Sequence, residues 1–274
     1  MKQLHQAAAD WLESIDLVAT DMDGTLTKQG LFHPDLLAML WRLHRAQISV
    51  VVVTGRSAGW VQGLFEYLPL TGAIAENGGV LYCDRNREGT VLCPPCNRQE
   101  LAQLFVQIQR EFPQLTPSAD NAFRITDWTF EIQELSSAQL AHIAQRCRSQ
   151  GWDFTYSSIQ GHIKPATTSK QRGVLWMTAH AFSPPVTPAK ILTLGDSLND
   201  ADLLNPAVFP HSVGVANLKP YLLDLPAPPT WMTEKAELAG FLEAMELLLA
   251  HRPIQASKSK EHSPDTDAAN TARH

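Results

Sequence analysis

The stretch "ISVVVVTG", residues 48–55, constrains the fold more than any other. Four valines in a row offer no polar face to water, so both sides of this strand have to be covered. Strands of that kind belong to parallel sheets, packed by the helices of their crossover connections. The neighbouring pattern agrees. "SIDLVATD" reads as a second buried strand. "HPDLLAMLWRLHRAQ" reads as a helix opened by Pro34, with Leu37, Leu40, Trp41 and His44 at helical spacing. "SAGWVQGLFEYL" is another helix, and "GAIAENGG" a strand running into a turn. This rhythm predicts an α/β fold with a parallel sheet and helices on both faces.

The rhythm breaks after "GGVLYCDRNREGTVLC", which reads as a hairpin. A helix follows in "NRQELAQLFVQIQREF", with Asn97 as N-cap and Glu100 three residues on. "FRITDWTFEIQ" alternates as a half-buried strand, "SSAQLAHIAQRCRSQG" is a helix ending at Gly151, and "WDFTYSS" and "GHIKPA" are two more strands. Residues 95–167 are therefore read as an α+β unit inserted into a core made of residues 1–94 and 168–250. The second part of that core reads as a helix in "TTSKQRGVLWMTAHAF", a buried strand in "AKILTLGD", and a loop and helix in "SLNDADLLNPA". Short strands follow in "HSVGVAN" and "PTWMT", then a closing helix. The first fifteen residues read as a short amphipathic helix or an extended leader. The polar residues 251–274 read as a disordered tail.

Composition excludes some function classes. The formal net charge is -6 and no basic stripe occurs, which argues against a nucleic-acid partner. No apolar run is long enough to cross a bilayer, and "MKQLHQAAADWLESI" is too polar for a signal peptide. Cys93 and Cys96 form a C-P-P-C pair, but no second pair or His motif completes a zinc site. The cysteines are read as free thiols in a reducing cytoplasm.

Ligands of open α/β sheets sit beyond the carboxyl ends of the strands. Three such ends carry polar groups. "DMDG" gives Asp21 and Asp23; "TGR" gives Thr54, Gly55 and Arg56; "GDSLND" gives Asp196, Ser197, Asn199 and Asp200. Four carboxylates converging on one edge repel one another unless a cation sits among them, and oxygen-only ligands suit Mg²⁺. An EF-hand fails as a competitor, because loop positions six and twelve from Asp21 are Leu26 and Phe32 rather than Gly and Glu.

"DMDGTLT", "VVVTGRS", the lysine of "TTSKQRG" and "GDSLND" occur in the order of the four motifs of the haloacid dehalogenase-like (HAD) hydrolase superfamily. "AENGG" and "HSVGVAN" resemble its Cof-type branch, subfamily IIB, with a type-two cap. That branch includes sucrose-phosphate and mannosyl-phosphoglycerate phosphatases. The resemblance spans about residues 15 to 250. It implies a Rossmann-like core and a phosphatase acting on a small phosphorylated metabolite, with Mg²⁺ as cofactor. Asp21 would be the nucleophile and Asp23 the acid/base. Lys170 would neutralise charge on nucleophile and phosphate. Thr54, Gly55 and Asn199 would hold phosphoryl oxygens. Asp21, the Asp23 backbone carbonyl, Asp196 and Asp200 would hold the metal. Gly24 would let the backbone leave its strand sharply.

The insertion point after the third strand implies a lid that selects the leaving group. Candidate substrate contacts are Arg124, Asp127, Trp128, His162 and Lys164. Trp128 is read more readily as a core residue of its strand. Arg56 either binds phosphate or pairs structurally, and Glu76 and Asn77 either line the site or only shape the turn. Two further functions stay open. One is a phosphomannomutase-like phosphosugar mutase, whose opening motif "DMDGTLT" also resembles. The other is a catalytically silent sugar-phosphate-binding protein, against which both intact aspartates speak. Oligomeric state is not legible.

Overall fold

The computed structural model describes residues 2–7, 9–85, 87–132, 135–157 and 160–252. Of the expected tail, residues 253–274 lie outside the described residues. The main sheet contains β1 (Lys2–Gln3), β2 (Leu17–Thr20), β3 (Ser49–Val53), β4 (Gly72–Ala75), β5 (Val80–Tyr82), β6 (Thr90–Val91), and, from later in the chain, β10 (Ile191–Gly195), β11 (His211–Gly214) and β12 (Trp231–Met232). Its order is β1-β12-β11-β10-β2-β3-β4-β5-β6, parallel from β1 to β4 and antiparallel at β5 and β6. β2 lies in the middle, with β3 on one side and β10 on the other. The chain order reverses there, so a crevice opens at the carboxyl ends of these strands.

Alternation along the strands divides the core. Val18, Val50, Val52 and Leu192 face one layer; Leu17, Ala19, Val51 and Val53 face the other. The first layer is closed by α2 (Pro34–Arg45), α3 (Ala58–Tyr67) and the last helix, α7 (Glu237–Ala250), which contribute Leu40, Val61, Phe241 and Met245 among others. The second is covered by α6 (Lys170–His180) through Val174 and Met177. Side chains of this size, fully buried, are each worth about 1.5–3 kcal/mol. The "VVVV" run is thus buried on both faces, as expected.

A second sheet, β7 (Trp128–Glu131), β8 (Trp152–Tyr156) and β9 (Gln160–Pro165), is antiparallel in the order β7-β9-β8. It packs with α4 (Arg98–Glu111) and α5 (Ser137–Ser149) around a separate cluster that includes Leu104, Phe105, Phe130 and Ile143. Asn97 caps α4 by accepting from the Gln99 N–H, and Ser136 with Gln139 forms a capping box on α5.

Four expectations need correction. The buried face of α2 is Leu36, Met39, Leu40 and Leu43, whereas Leu37 and Trp41 are more than 40% exposed. Both sets have helical period, and the sheet selects the first. "FRITDWTFEIQ" is strand only from Trp128, after a 3-10 turn at Ala119–Phe123. The N–H groups of Ile125 and Thr126 are taken by the Glu76 carboxylate instead of a ladder. "SLNDADLLNPA" forms a 3-10 turn at Leu198–Asp200 and no α-helix. Asp202 and Asn205 accept from nearby backbone N–H groups and so compete with helical bonding. The N-terminus adds β1 to the sheet edge before its short helix α1 (Ala9–Glu13).

Candidate active site

β2, β3 and β10 end side by side, so Asp21, Thr54 and Asp196 leave the sheet at one edge. Two glycines bring the chain close enough. Gly24 has φ +79°, and a Cβ there would lie 2.3 Å from Asp196 Oδ2. Gly78, φ +101°, lets the turn after β4 press on Ser169, where a Cβ would lie 2.1 Å from the carbonyl oxygen. Ser169 caps α6, and Lys170 is the first residue of that helix. A helix N-terminus repels a cation. Lys170 is nonetheless fully enclosed there, because its Nζ donates to Asp21 Oδ1 (2.5 Å) and Asp200 Oδ1 (2.6 Å).

Asp200 is used on both sides. Its Oδ2 accepts from the N–H groups of Asp196 and Ser197. Oxygens of Asp21, Asp196 and Asp200 all lie within 4.8 Å of one another, the only such acidic or His/Cys group among the described residues. One ammonium does not balance three carboxylates. Burial, then Asp200, pushes the Asp21 carboxyl up to about 7, and burial, then Asp21, pushes Asp196 up to about 9. Hard oxygen donors with surplus negative charge fit a divalent cation of the Mg²⁺ kind. Asp21, bonded to Lys170 through Oδ1, and Asp196, whose Oδ1 makes only a long 3.4 Å bond with the Thr25 hydroxyl, can turn an oxygen to such an ion. Asp200, already bonded through both oxygens, suits contact through water.

Asp23 meets a different partner. Arg56 grips it bidentately, Nε–Oδ2 2.9 Å and Nη2–Oδ1 2.6 Å, and its guanidinium lies over Trp60. Thr54 Oγ1 accepts from the Arg56 N–H, which leaves its own hydroxyl proton to donate. These groups, with Gly55, His162, Asp196 and Asn199, line one cavity of about 290 Å³.

The family model described as "Sucrose-6F-phosphate phosphohydrolase" matches residues 15–247. The chain belongs to this family. It is a Cof-type member of the haloacid dehalogenase-like superfamily, with the Rossmann-like core and added sheet of that fold, and it is a phosphatase. Among curated proteins it is similar to the phosphoglycolate phosphatase of Natronomonas pharaonis, 28% identical over 84% of this chain and 96% of that one. Among solved structures it resembles the Thermoplasma acidophilum protein 0175 (TM-score 0.68, 18% identity, 85% of this chain and 99% of that one). It also resembles the sucrose-phosphatase of Synechocystis sp. PCC6803 (TM-score 0.63, 16% identity, 85% and 97%). At these identities the solved structures speak for the fold.

The other candidates in this family member separate into two groups. His162, on β9, lines the cavity, and its ring lies beside Gly55. Its Nδ1 is 3.0 Å from Asp127 Oδ2. Burial keeps the imidazole below its ordinary value despite the pull of Asp127.

The rest do not face the carboxylates. Arg124 is enclosed, bonded to Asp120, Asp127 and the Gly55 carbonyl. Asp127 is likewise enclosed between Arg124 and His162. Glu76 accepts from Ala58 N, Ile125 N, Thr126 N and Thr126 Oγ1, so it is an internal anchor, absent from the cavity. Lys164 donates to the Thr168 carbonyl and to Asp153. Trp128 packs on Phe105, under Arg98. Asn77 has a buried amide without a hydrogen-bond partner and borders a second cavity of about 240 Å³ beyond Lys170 and Asn199.

The sequence reading quoted Asn217 as the end of "HSVGVAN" but gave it no role; it donates to Asp196 and to the Gly24 carbonyl. The signal was available. β11 is a further parallel strand, and Asn217 lies three residues past its carboxyl end.

Proposed function

We propose that the protein is a Mg²⁺-dependent phosphatase that hydrolyses a small phosphorylated metabolite, a sugar phosphate ahead of a glycosyl-phosphoglycerate, through an aspartyl-phosphate on Asp21. The observation that carries this reading is the buried Asp21–Lys170–Asp200 set beside Asp196, open to the cavity that Asp23 also lines. A carboxylate oxygen of Asp21 attacks phosphorus, and the bond to the leaving oxygen breaks. Asp23 donates a proton to that alkoxide, then takes one from water. The water oxygen attacks phosphorus, the Asp21–phosphorus bond breaks, and phosphate departs. Splitting the transfer in two lowers each barrier. In the free protein Arg56 bonds both Asp23 oxygens, and Asp23 has to leave that pairing to carry the proton. The Thr54 hydroxyl, the Gly55 N–H and Asn199 hold phosphoryl oxygens. Lys170 stabilises charge on the nucleophile, an effect usually among the largest in catalysis.

Asp21, Asp196 and the Asp23 carbonyl would hold the cation, with Asp200 behind water; when bound, it neutralises charge on carboxylates and phosphoryl oxygens. Residues 95–167 act as the cap in this reading. The described cap residues lining the cavity, Ser157, Gln160 and His162, include no lysine or arginine. In the second cavity Arg148 and Lys164 both face Asp153. A leaving group rich in hydroxyls suits that lining better than one bearing a carboxylate.

The test is turnover by purified protein with Mg²⁺ on sucrose 6-phosphate, trehalose 6-phosphate, a glycosyl-phosphoglycerate and phosphoglycolate. A sugar phosphate should lead phosphoglycolate by at least about tenfold in kcat/KM, since polar groups left unmatched penalise the wrong ligand. Preference for phosphoglycolate would overturn the substrate class. Phosphoryl transfer within the sugar, without phosphate release, would overturn hydrolysis in favour of a mutase.

A further inference from the structure

Asn217 sits in the 3-10 turn that follows β11, Ala216–Tyr221. Its side chain has three hydrogen bonds, and together they fix which way the amide points. Nδ2 donates to Asp196 Oδ2 at 2.9 Å and to the Gly24 carbonyl at 3.0 Å, while Oδ1 accepts from the Glu237 N–H at 2.9 Å. The flipped amide would set an oxygen against two acceptors and an NH₂ against a donor.

One amide thus joins three segments: the turn after β2, the loop after β10 and the start of α7. Both ends of the arrangement lie at positive φ. Gly24 adopts positive φ flush against Asp196. Glu237 is a non-glycine residue at φ +52°, a strained left-handed conformation. In that position its N–H meets Asn217 and its carboxylate accepts from the Gln29 N–H.

The consequence falls on Asp196. Its Oδ2 is held by Asn217, and its Oδ1 lies 3.4 Å from the Thr25 hydroxyl. The side chain is therefore held at both oxygens, firmly by Asn217 and more loosely by Thr25, where it groups with Asp21 and Asp200. We propose that Asn217 is a positioning residue for the cation site: it sets the orientation of Asp196, and its loss weakens divalent-cation binding. This rests on the reading that Asp21, Asp196 and Asp200 hold a cation. Removing hydrogen-bond partners of metal ligands commonly lowers metal affinity on the order of 10- to 100-fold.

Isothermal titration of the full chain with Mg²⁺ alone tests it. Asn217→Ala should bind Mg²⁺ on the order of 10-fold more weakly than wild type, or worse. If that variant does not fold, Asn217→Ser replaces it, since its hydroxyl is too short to span both acceptors, and the same weakening is expected. A residue that only ties loops together would lower the melting temperature equally with and without Mg²⁺. A folded variant whose Mg²⁺ affinity stays within about twofold of wild type would overturn the role of Asn217. Failure of the wild-type protein to bind Mg²⁺ would overturn the cation reading beneath it, a separate outcome.

Discussion

Two buried ionic clusters flank the loop after β3, and they are built on opposite principles. In one, Arg124 is enclosed between Asp120 and Asp127, and Asp127 also meets His162. Burial works against the Asp127 carboxylate, yet Arg124 and His162 outweigh it and hold it below its usual range. In the other, Lys170 is shared by Asp21 and Asp200, while Asp196 pairs with no Lys or Arg among the described residues. There burial and mutual repulsion win, and two carboxyls rise. The first cluster is closed: Arg124 spends its donors on two carboxylates and the Gly55 carbonyl. The second is open in charge and in space. A perturbed carboxyl in a cleft marks function far better when its charge is left uncompensated.

The comparison can be broken from either side. The largest effect on stability is expected at the closed cluster. Arg124→Met should destabilise the fold by about 3–5 kcal/mol, because it leaves buried carboxylates unpaired; denaturant unfolding measures this. A loss under about 1 kcal/mol, the value of an exposed pair, would mean the cluster is solvated and the contrast fails.

A smaller effect separates the clusters by pH. Raised carboxyl values mean that the metal-free native state binds protons the unfolded chain has already released. Stability from Asp21 and Asp196 is therefore full at acid pH below their unfolded values. It is lost as pH climbs through about 7 and about 9. The melting temperature of metal-free protein should fall by a few degrees across that range, and saturating Mg²⁺ should flatten the fall. Equal slopes with and without Mg²⁺ would show that no cation offsets these charges.

The open cluster was the legible one. Its residues lie within short motifs at the ends of β2, β3 and β10, and the buried "VVVV" run already required the parallel sheet that aligns those ends. Lys170 could be read from its motif, although its helix-terminal position opposes its charge. The closed cluster was not legible as such. Arg124 and Asp127 read as substrate contacts, but Gly55, with which Arg124 bonds, is 69 residues away. Glu76 read as a turn or site residue, and its partners Ile125 and Thr126 lie 49 and 50 residues off. Polar residues in an alternating strand pattern look alike whether they face a cavity or a buried counter-charge. Only the tertiary partner separates them. The role of Asn217 was hidden for a related reason: it read as the end of the short strand "HSVGVAN" until its amide is seen against Asp196.

The central claim is that the phosphoryl group passes through Asp21. The most direct measurement uses Asp23→Asn, which keeps the nucleophile but lacks the base for the second step. Because that variant also lacks the acid for the first step, it is given an aryl phosphate, whose leaving group departs without a proton; after acid quench, peptide mapping by mass spectrometry should find the phosphoryl group on the peptide containing Asp21. It should be absent from the Asp21→Asn variant, which should also have lost turnover. Full turnover by Asp21→Asn, or a phosphoryl group on another residue, would contradict the account.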